Sequence, residues 1–174
     1  MTDTFELGKT IKCHKIEFNI CPDLWIDASF ILSKLKDKEF KEIKFLNKSG
    51  TKLNNQVESL PLNGGLYFFI VKATSLPDTA SYLLYIGRAK KTTTHNLKIR
   101  CKKYFTNYNN EKERPKISQM IHGYGKFLYL KYIDLGDNND LISELEEKLI
   151  NNLIPPFNDF IPDKSIRDAV KAFS

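Results

Sequence analysis

An α/β fold, more narrowly α+β, with a small, mainly antiparallel three-stranded central sheet flanked by helices and an α/β extension at its amino terminus, is the architecture this 174-residue sequence predicts. Three observations predict it. The length suits one hydrophobic core with an arm. A hydrophobic content of 41%, with 12% aromatic, is enough to fill that core and excludes a disordered chain. Beyond residue 63, short apolar runs and helical stripes follow one another in the order β, β, α, α, β, α.

Residues 1–62 form the extension. Ile16, Phe18 and Ile20 alternate as in a strand, Pro22-Asp23 marks a helix start, and Trp25, Ile26, Phe30, Ile31 and Leu35 give a helical stripe. A second alternation, Ile43 and Phe45, runs into the turn Asn47-Lys48-Ser49-Gly50. Residues 63–174 form the main domain. The run Leu66 to Val71, bounded by Gly64-Gly65 and by Thr74-Ser75-Leu76-Pro77-Asp78, reads as a buried strand, with Tyr82 to Ile86 as its antiparallel partner. A polar, basic loop leads to a helix capped by Asn96 and running through Leu97, Cys101, Tyr104 and Phe105. Pro115 opens a second helix through Ile117, Met120 and Ile121 that stops at Gly123. Phe127 to Ile133 reads as a third strand and Asp140 to Asn152 as a third helix.

No apolar run approaches the roughly 18 residues of a membrane span, and Met1 to Glu6 lack the basic start and apolar stretch of a secretory signal, so a cytoplasmic protein with no membrane partner is expected. Cys13, Cys21 and Cys101 form no Cys-x-x-Cys pair, which argues against a zinc or disulfide scaffold. His14, His95 and His122 read as surface or satisfied core histidines. The net charge of +6 is unevenly spread: residues 87–126 carry eleven Lys/Arg against Glu111 and Glu113, a local balance of +9. Such a concentration suits phosphate binding by counterion release, or else a solvated basic face.

At 100° per residue, Ile142, Leu145, Leu149 and Leu153 form one stripe of the third helix, and Glu146 lies inside it, about 40° from Ile142. Glu144 and Glu147 point away. A carboxylate facing a core is costly unless it is paired or holds a metal ion. On the Asn96-capped helix, Arg100 lies at the edge of the apolar face made by Leu97, Cys101 and Tyr104. An inward arginine and an inward glutamate either neutralise one another or flank one phosphate.

The half-motifs Gly65-Leu66-Tyr67 and Tyr85-Ile86-Gly87, followed in order by Arg100, Glu146 and Asn158, resemble the GIY-YIG nuclease superfamily over residues 65–158. The stretch Tyr85 to Lys90, with Asn96 to Arg100 and Lys103-Tyr104-Phe105, is similar to the N-terminal nuclease domain of the bacterial nucleotide-excision repair incision subunit. The segment from Glu146 through Leu149-Ile150, Pro155 and Phe157-Asn158 to Asp163-Lys164-Ser165 is similar to that domain's closing portion. The resemblance implies hydrolysis of DNA phosphodiester bonds with one divalent ion. It implies Tyr67 as general base or water-orienting phenol, Tyr85 as its hydrogen-bonding companion, Arg100 as phosphate clamp, Glu146 as metal ligand and Asn158 as a residue that holds the site together. Arg88, Lys90, Lys91, Lys98, Lys102, Lys103 and Tyr104 are the expected substrate-binding residues. Relative to compact members, the interval between Tyr67 and Tyr85 is long, and Thr92-Thr93-Thr94-His95 is an insertion that reshapes substrate access.

A tyrosine with a reference pKa of about 10 is a poor base at neutral pH unless a cation favours the phenolate. One inward carboxylate argues for a single, water-rich Mg²⁺ or Mn²⁺ rather than a two-metal clamp. DNA is the expected partner and RNA its nearest substitute. Cutting both strands with one site per chain favours a homodimer. Restriction or antiphage, mobile-element and repair roles all fit. The alternatives are a nucleic-acid-binding module that uses the basic face 87–126 without cutting, and an interaction protein whose arm docks a larger partner.

Overall fold

A computed structural model describes residues 15–26, 28–76 and 79–173. The Met1–Glu6 start, Cys13, His14 and the Pro77-Asp78 corner lie outside the described residues.

Nine-residue strands β2 (Gly64–Lys72) and β3 (Ser81–Ala89) form from the two apolar runs and pair antiparallel, with Tyr67 opposite Gly87 and Phe69 opposite Tyr85. A short strand β1 (Lys41–Lys44) and β4 (Leu128–Gly136) complete an antiparallel sheet of order β1-β4-β2-β3 among the described residues. The general α+β class is as expected, but the sheet has four strands rather than three. Ile43 pairs with Leu130 on the side of β4 away from β2, and Ile43 and Phe45 enter the core. A four-residue strand whose partner lies far along the chain leaves only a short alternation in the sequence, which does not say what it pairs with.

Side-chain alternation along β2 divides the core into two. Tyr67 and Phe69 join Tyr85, Leu97, Cys101, Tyr104, Ile117 and Met120 on one face. Leu66 and Phe68 join Ile86, Ile142, Leu145 and Leu149 on the other. Helix α1 (Ser29–Leu35) lies on the second face; α2 (Leu97–Asn109) and α3 (Pro115–Tyr124) cover the first; α4 (Asn139–Leu153) covers the second. Asn96 caps α2 by accepting from the Ile99 amide at 2.9 Å, as expected.

Other expectations are corrected. Residues 15–21 form no strand: Ile16 packs against the first core, Phe18 tilts against Tyr82, and Ile20 stays exposed. Alternation supplies a half-buried face but not a backbone partner. The stripe from Trp25 to Leu35 is broken into a 3₁₀ turn (Pro22–Trp25) and α1, and Trp25 donates from Nε1 to the Asn152 carbonyl at 2.9 Å, pinning the turn to the end of α4. Helix α3 runs through Gly123 to Tyr124. A fifth helix, α5 (Lys164–Phe173), follows, and Asp163 caps it by accepting from the Ile166 amide at 2.9 Å. Among the described residues no helix is long and apolar enough to cross a membrane.

Candidate active site

β3 is an edge strand, so its outer backbone groups need partners from elsewhere. The chain after α4 supplies them. Ile154, in left-handed backbone at φ +44°, and then Pro155 end the helix. The Phe157 amide then donates to the Leu84 carbonyl at 3.0 Å. Asn158 accepts from the Ile86 amide at 2.9 Å and donates to the Ile86 carbonyl at 2.8 Å, replacing one residue of a fifth strand. Both ends of its side chain are used in clamping the edge.

Above the first face stand three phenols. Tyr67 and Tyr104 are 2.7 Å apart at their hydroxyls, and Tyr104 donates to Tyr85 at 3.2 Å. With the Tyr104 hydrogen given to Tyr85, Tyr67 is the donor in the shorter contact. The Tyr85 oxygen also accepts from Arg114 Nη2 at 3.1 Å, so Tyr85 keeps its own hydrogen. Arg100 donates from Nε to Tyr67 at 3.2 Å and from Nη2 to Tyr104 at 3.3 Å. Gly87 makes room for this cluster: a Cβ there would lie 2.5 Å from Tyr67 Cζ and its hydroxyl. Gly65 serves the sheet, because its Cβ would lie 2.1 Å from the Ile133 carbonyl oxygen.

Burial pushes the Tyr67 and Tyr104 phenols above their ordinary range, and the neighbouring Arg100 does not reverse this. The Tyr67 phenol in turn holds the Arg100 guanidinium firmly protonated. The cation that a phenolate would require is present, but desolvation outweighs it.

On the second face Glu146 does face inward, its side chain 16% exposed. It pairs with Arg88, whose Nη1 stands 2.8 Å from Oε2, and not with Arg100. Burial pushes its carboxyl above the usual carboxylate range, against the pull of Arg88. Arg88 also lies 3.7 Å from Glu147.

The two halves meet at Gly87 in a cleft of about 370 Å³ lined by Tyr67, Tyr85, Arg88, Lys90, Arg100 and Glu146, with Thr92 and His95 of the insertion on its rim. Tyr67, with none of its surface exposed, forms the floor. Lys90 is exposed. The other predicted substrate-binding lysines lie outside this lining. Lys98 and Lys102 are paired with Glu58 at 3.1 and 2.6 Å. Lys91 donates its Nζ to the Leu62 carbonyl, and its backbone is held by Asn139. Lys103 is exposed on α2. Part of the +9 segment is therefore engaged within the fold. Arg114, which sequence reasoning counted only among the basic residues, holds Tyr85 and pairs with Asp159 at 3.0 Å. It precedes Pro115 and stands outside any helix, so no helical stripe could show it turned inward.

No group of three or more His, Cys, Asp or Glu that could hold a metal ion occurs among the described residues. The donor set is one carboxylate, Glu146, on a polar cleft. That fits a hydrated Mg²⁺ or Mn²⁺ completed by water and phosphate oxygens, and does not fit a two-metal site.

Comparison with protein-family models, with curated proteins and with solved structures finds no match.

Proposed function

We propose that this chain is a divalent-metal-dependent endonuclease of the GIY-YIG type that hydrolyses DNA phosphodiester bonds. The observation that carries this reading is the convergence of Tyr67, Tyr85, Arg88, Arg100 and Glu146 on one polar cleft, with Asn158 holding the strand that bears two of them. Arg100, positioned by two phenols, stabilises charge developing on the scissile phosphoryl oxygens. Tyr85 offers its unused hydrogen to a phosphate oxygen. Tyr67, its proton held by burial and its hydroxyl shared between Tyr104 and Arg100, acts as a phenol that positions Arg100 beside the attacking water rather than as a preformed phenolate. Glu146 would hold the ion, and a divalent ion there supplies electrostatic stabilisation of the leaving oxygen.

A second reading, a nucleic-acid-binding module that does not cut, draws support from the Arg88 to Glu146 ion pair, which already occupies the one carboxylate. The deciding experiment is nicking of supercoiled plasmid with Mg²⁺ or Mn²⁺ and an EDTA control. Cleavage by wild type, abolished by Glu146→Gln and reduced by Tyr67→Phe, is expected. No metal-dependent cleavage of plasmid, single-stranded DNA or RNA, together with salt-sensitive binding, would establish the second reading instead.

A further inference from the structure

Behind the Arg88 to Glu146 pair lies a second cleft of about 340 Å³, which shares those two residues with the first and is otherwise lined by Arg114, Asn158, Asp159 and Phe160 among others. We propose that it is a nucleobase subsite: it takes the base of a nucleotide next to the scissile phosphate, unstacked against Phe160. The inference rests on the nuclease reading for the identity of the polymer.

Charge argues for a base and against a second phosphate. Both guanidiniums of this cleft are already paired, Arg88 with Glu146 and Glu147 and Arg114 with Asp159. Among the lining residues, three carboxylates against two guanidiniums leave no spare positive charge. Neutral rings bearing amino groups suit carboxylate acceptors, as cytosine suits Glu or Asp in duplex recognition. The aromatic platform is Phe160, 59% exposed although it lies in a loop between two ordered elements. It is not a loose surface side chain. Arg167 of α5 stacks on it with Cζ 4.5 Å from the ring centroid, and the same guanidinium donates to the Ile161 carbonyl at 2.6 Å, fixing the cation against the loop. An aromatic ring held beside a polar, charge-balanced hollow is what sequence-tolerant base stacking needs. Arg114 links the two clefts, lining the second and donating to Tyr85, which lines the first. A base seated here would place its own phosphate towards Arg88 and the first cleft.

The test is a binding cycle with the full chain in EDTA, so that cleavage plays no part. Fluorescence anisotropy would compare a labelled DNA strand with a strand of the same length carrying only abasic sugar-phosphate units. Against the DNA strand, Phe160→Ala should weaken binding about tenfold, the scale of one lost base stack, and Phe160→Trp should bind at least as well as wild type. Against the abasic strand all three should bind alike. Equal weakening on both strands, or none on either, would overturn the subsite, as would a Phe160→Trp that behaves like Phe160→Ala. Phe160 is largely exposed, so neither substitution threatens the fold. A plasmid assay without cleavage, beside an intact base-dependent cycle, would sink the nuclease reading and leave a base-binding subsite of a chain that binds DNA without cutting it.

Discussion

The two halves of the cleft are built from opposite kinds of polar group. On the first face, the hydroxyl side chains of Tyr67, Tyr85 and Tyr104 are almost wholly buried and linked through Tyr104. On the second, Glu146 and Arg88 are charged, paired once at 2.8 Å, and left 16% and 33% exposed. Burying a neutral hydroxyl costs little once its hydrogen bond is made, so the phenols can be locked under α2. Burying a charge costs much more, so the carboxylate stays near water, where the proposed metal ion would take the place of Arg88. On the proposed reading the first half is a fixed frame and the second is the part that would exchange its partner.

Gly87→Ala should produce the largest effect on stability. The added Cβ would lie 2.5 Å from Tyr67 Cζ and hydroxyl, and that ring is held in place by Tyr104 and Arg100. An overpacking cost of about 1–3 kcal/mol is expected, read as a lower denaturant midpoint, with loss of cleavage. An unchanged midpoint would mean the phenol cluster has slack and is no fixed frame.

Tyr67→Phe should cost less, about 1 kcal/mol, since it removes one hydroxyl and leaves Tyr104 and Arg100 short of a partner. Its informative readout is spectroscopic. The folded-state pKa of Tyr67 is raised by burial, so its contribution to stability is complete below the unfolded value of about 10 and is lost as pH rises through the folded value. Tyr67 should therefore stay protonated until the alkaline protein unfolds. Absorbance at 295 nm (~ the phenolate band) should give wild type and variant the same amplitude through the native range, with a difference only after unfolding. A missing native-range step in Tyr67→Phe would restore the phenolate base.

The comparison also shows what was legible in the sequence. The second face was: a period of 3.6 puts Glu146 in the stripe of Ile142, Leu145 and Leu149, and it faces inward in the fold. Its partner was not, because Arg88 sits on a strand 58 residues earlier and reaches it only through the packing of α4 on β3. The phenol triad was half legible. Tyr67 and Tyr85 lie in recognisable strands, yet their link through Tyr104 depends on α2 crossing above them. Arg114 and Phe160 lie outside helices and strands and carry no periodicity, so their roles emerge only in three dimensions. The basic segment shows the reverse: local counting gave +9, whereas Glu58, Glu146 and Asp159, drawn from outside that segment, offset about a third of it. Helix α5 had a readable start in Asp163, three residues before Ile166.

The smallest effect on stability is expected where the effect on activity is greatest. Glu146→Gln removes a charge that the fold desolvates, while Arg88 keeps Glu147 as a second acidic neighbour at 3.7 Å. At neutral pH the melting temperature should therefore stay level or rise. The pH dependence follows from the direction of the shift. Glu146 binds its proton more tightly in the folded state than in the unfolded one, whose value is about 4.3. Its contribution is then most favourable below that value and is lost as pH rises through the folded pKa. Wild type should gain on Glu146→Gln as pH falls from neutral towards about 4, because every other titrating group is common to both proteins. Differential scanning calorimetry of the pair across that range reads the difference. A variant that melts well below wild type at pH 7 would mean that Glu146 is a structural ion-pair partner whose loss the fold cannot absorb, and the carboxylate half would then be as fixed as the phenol half.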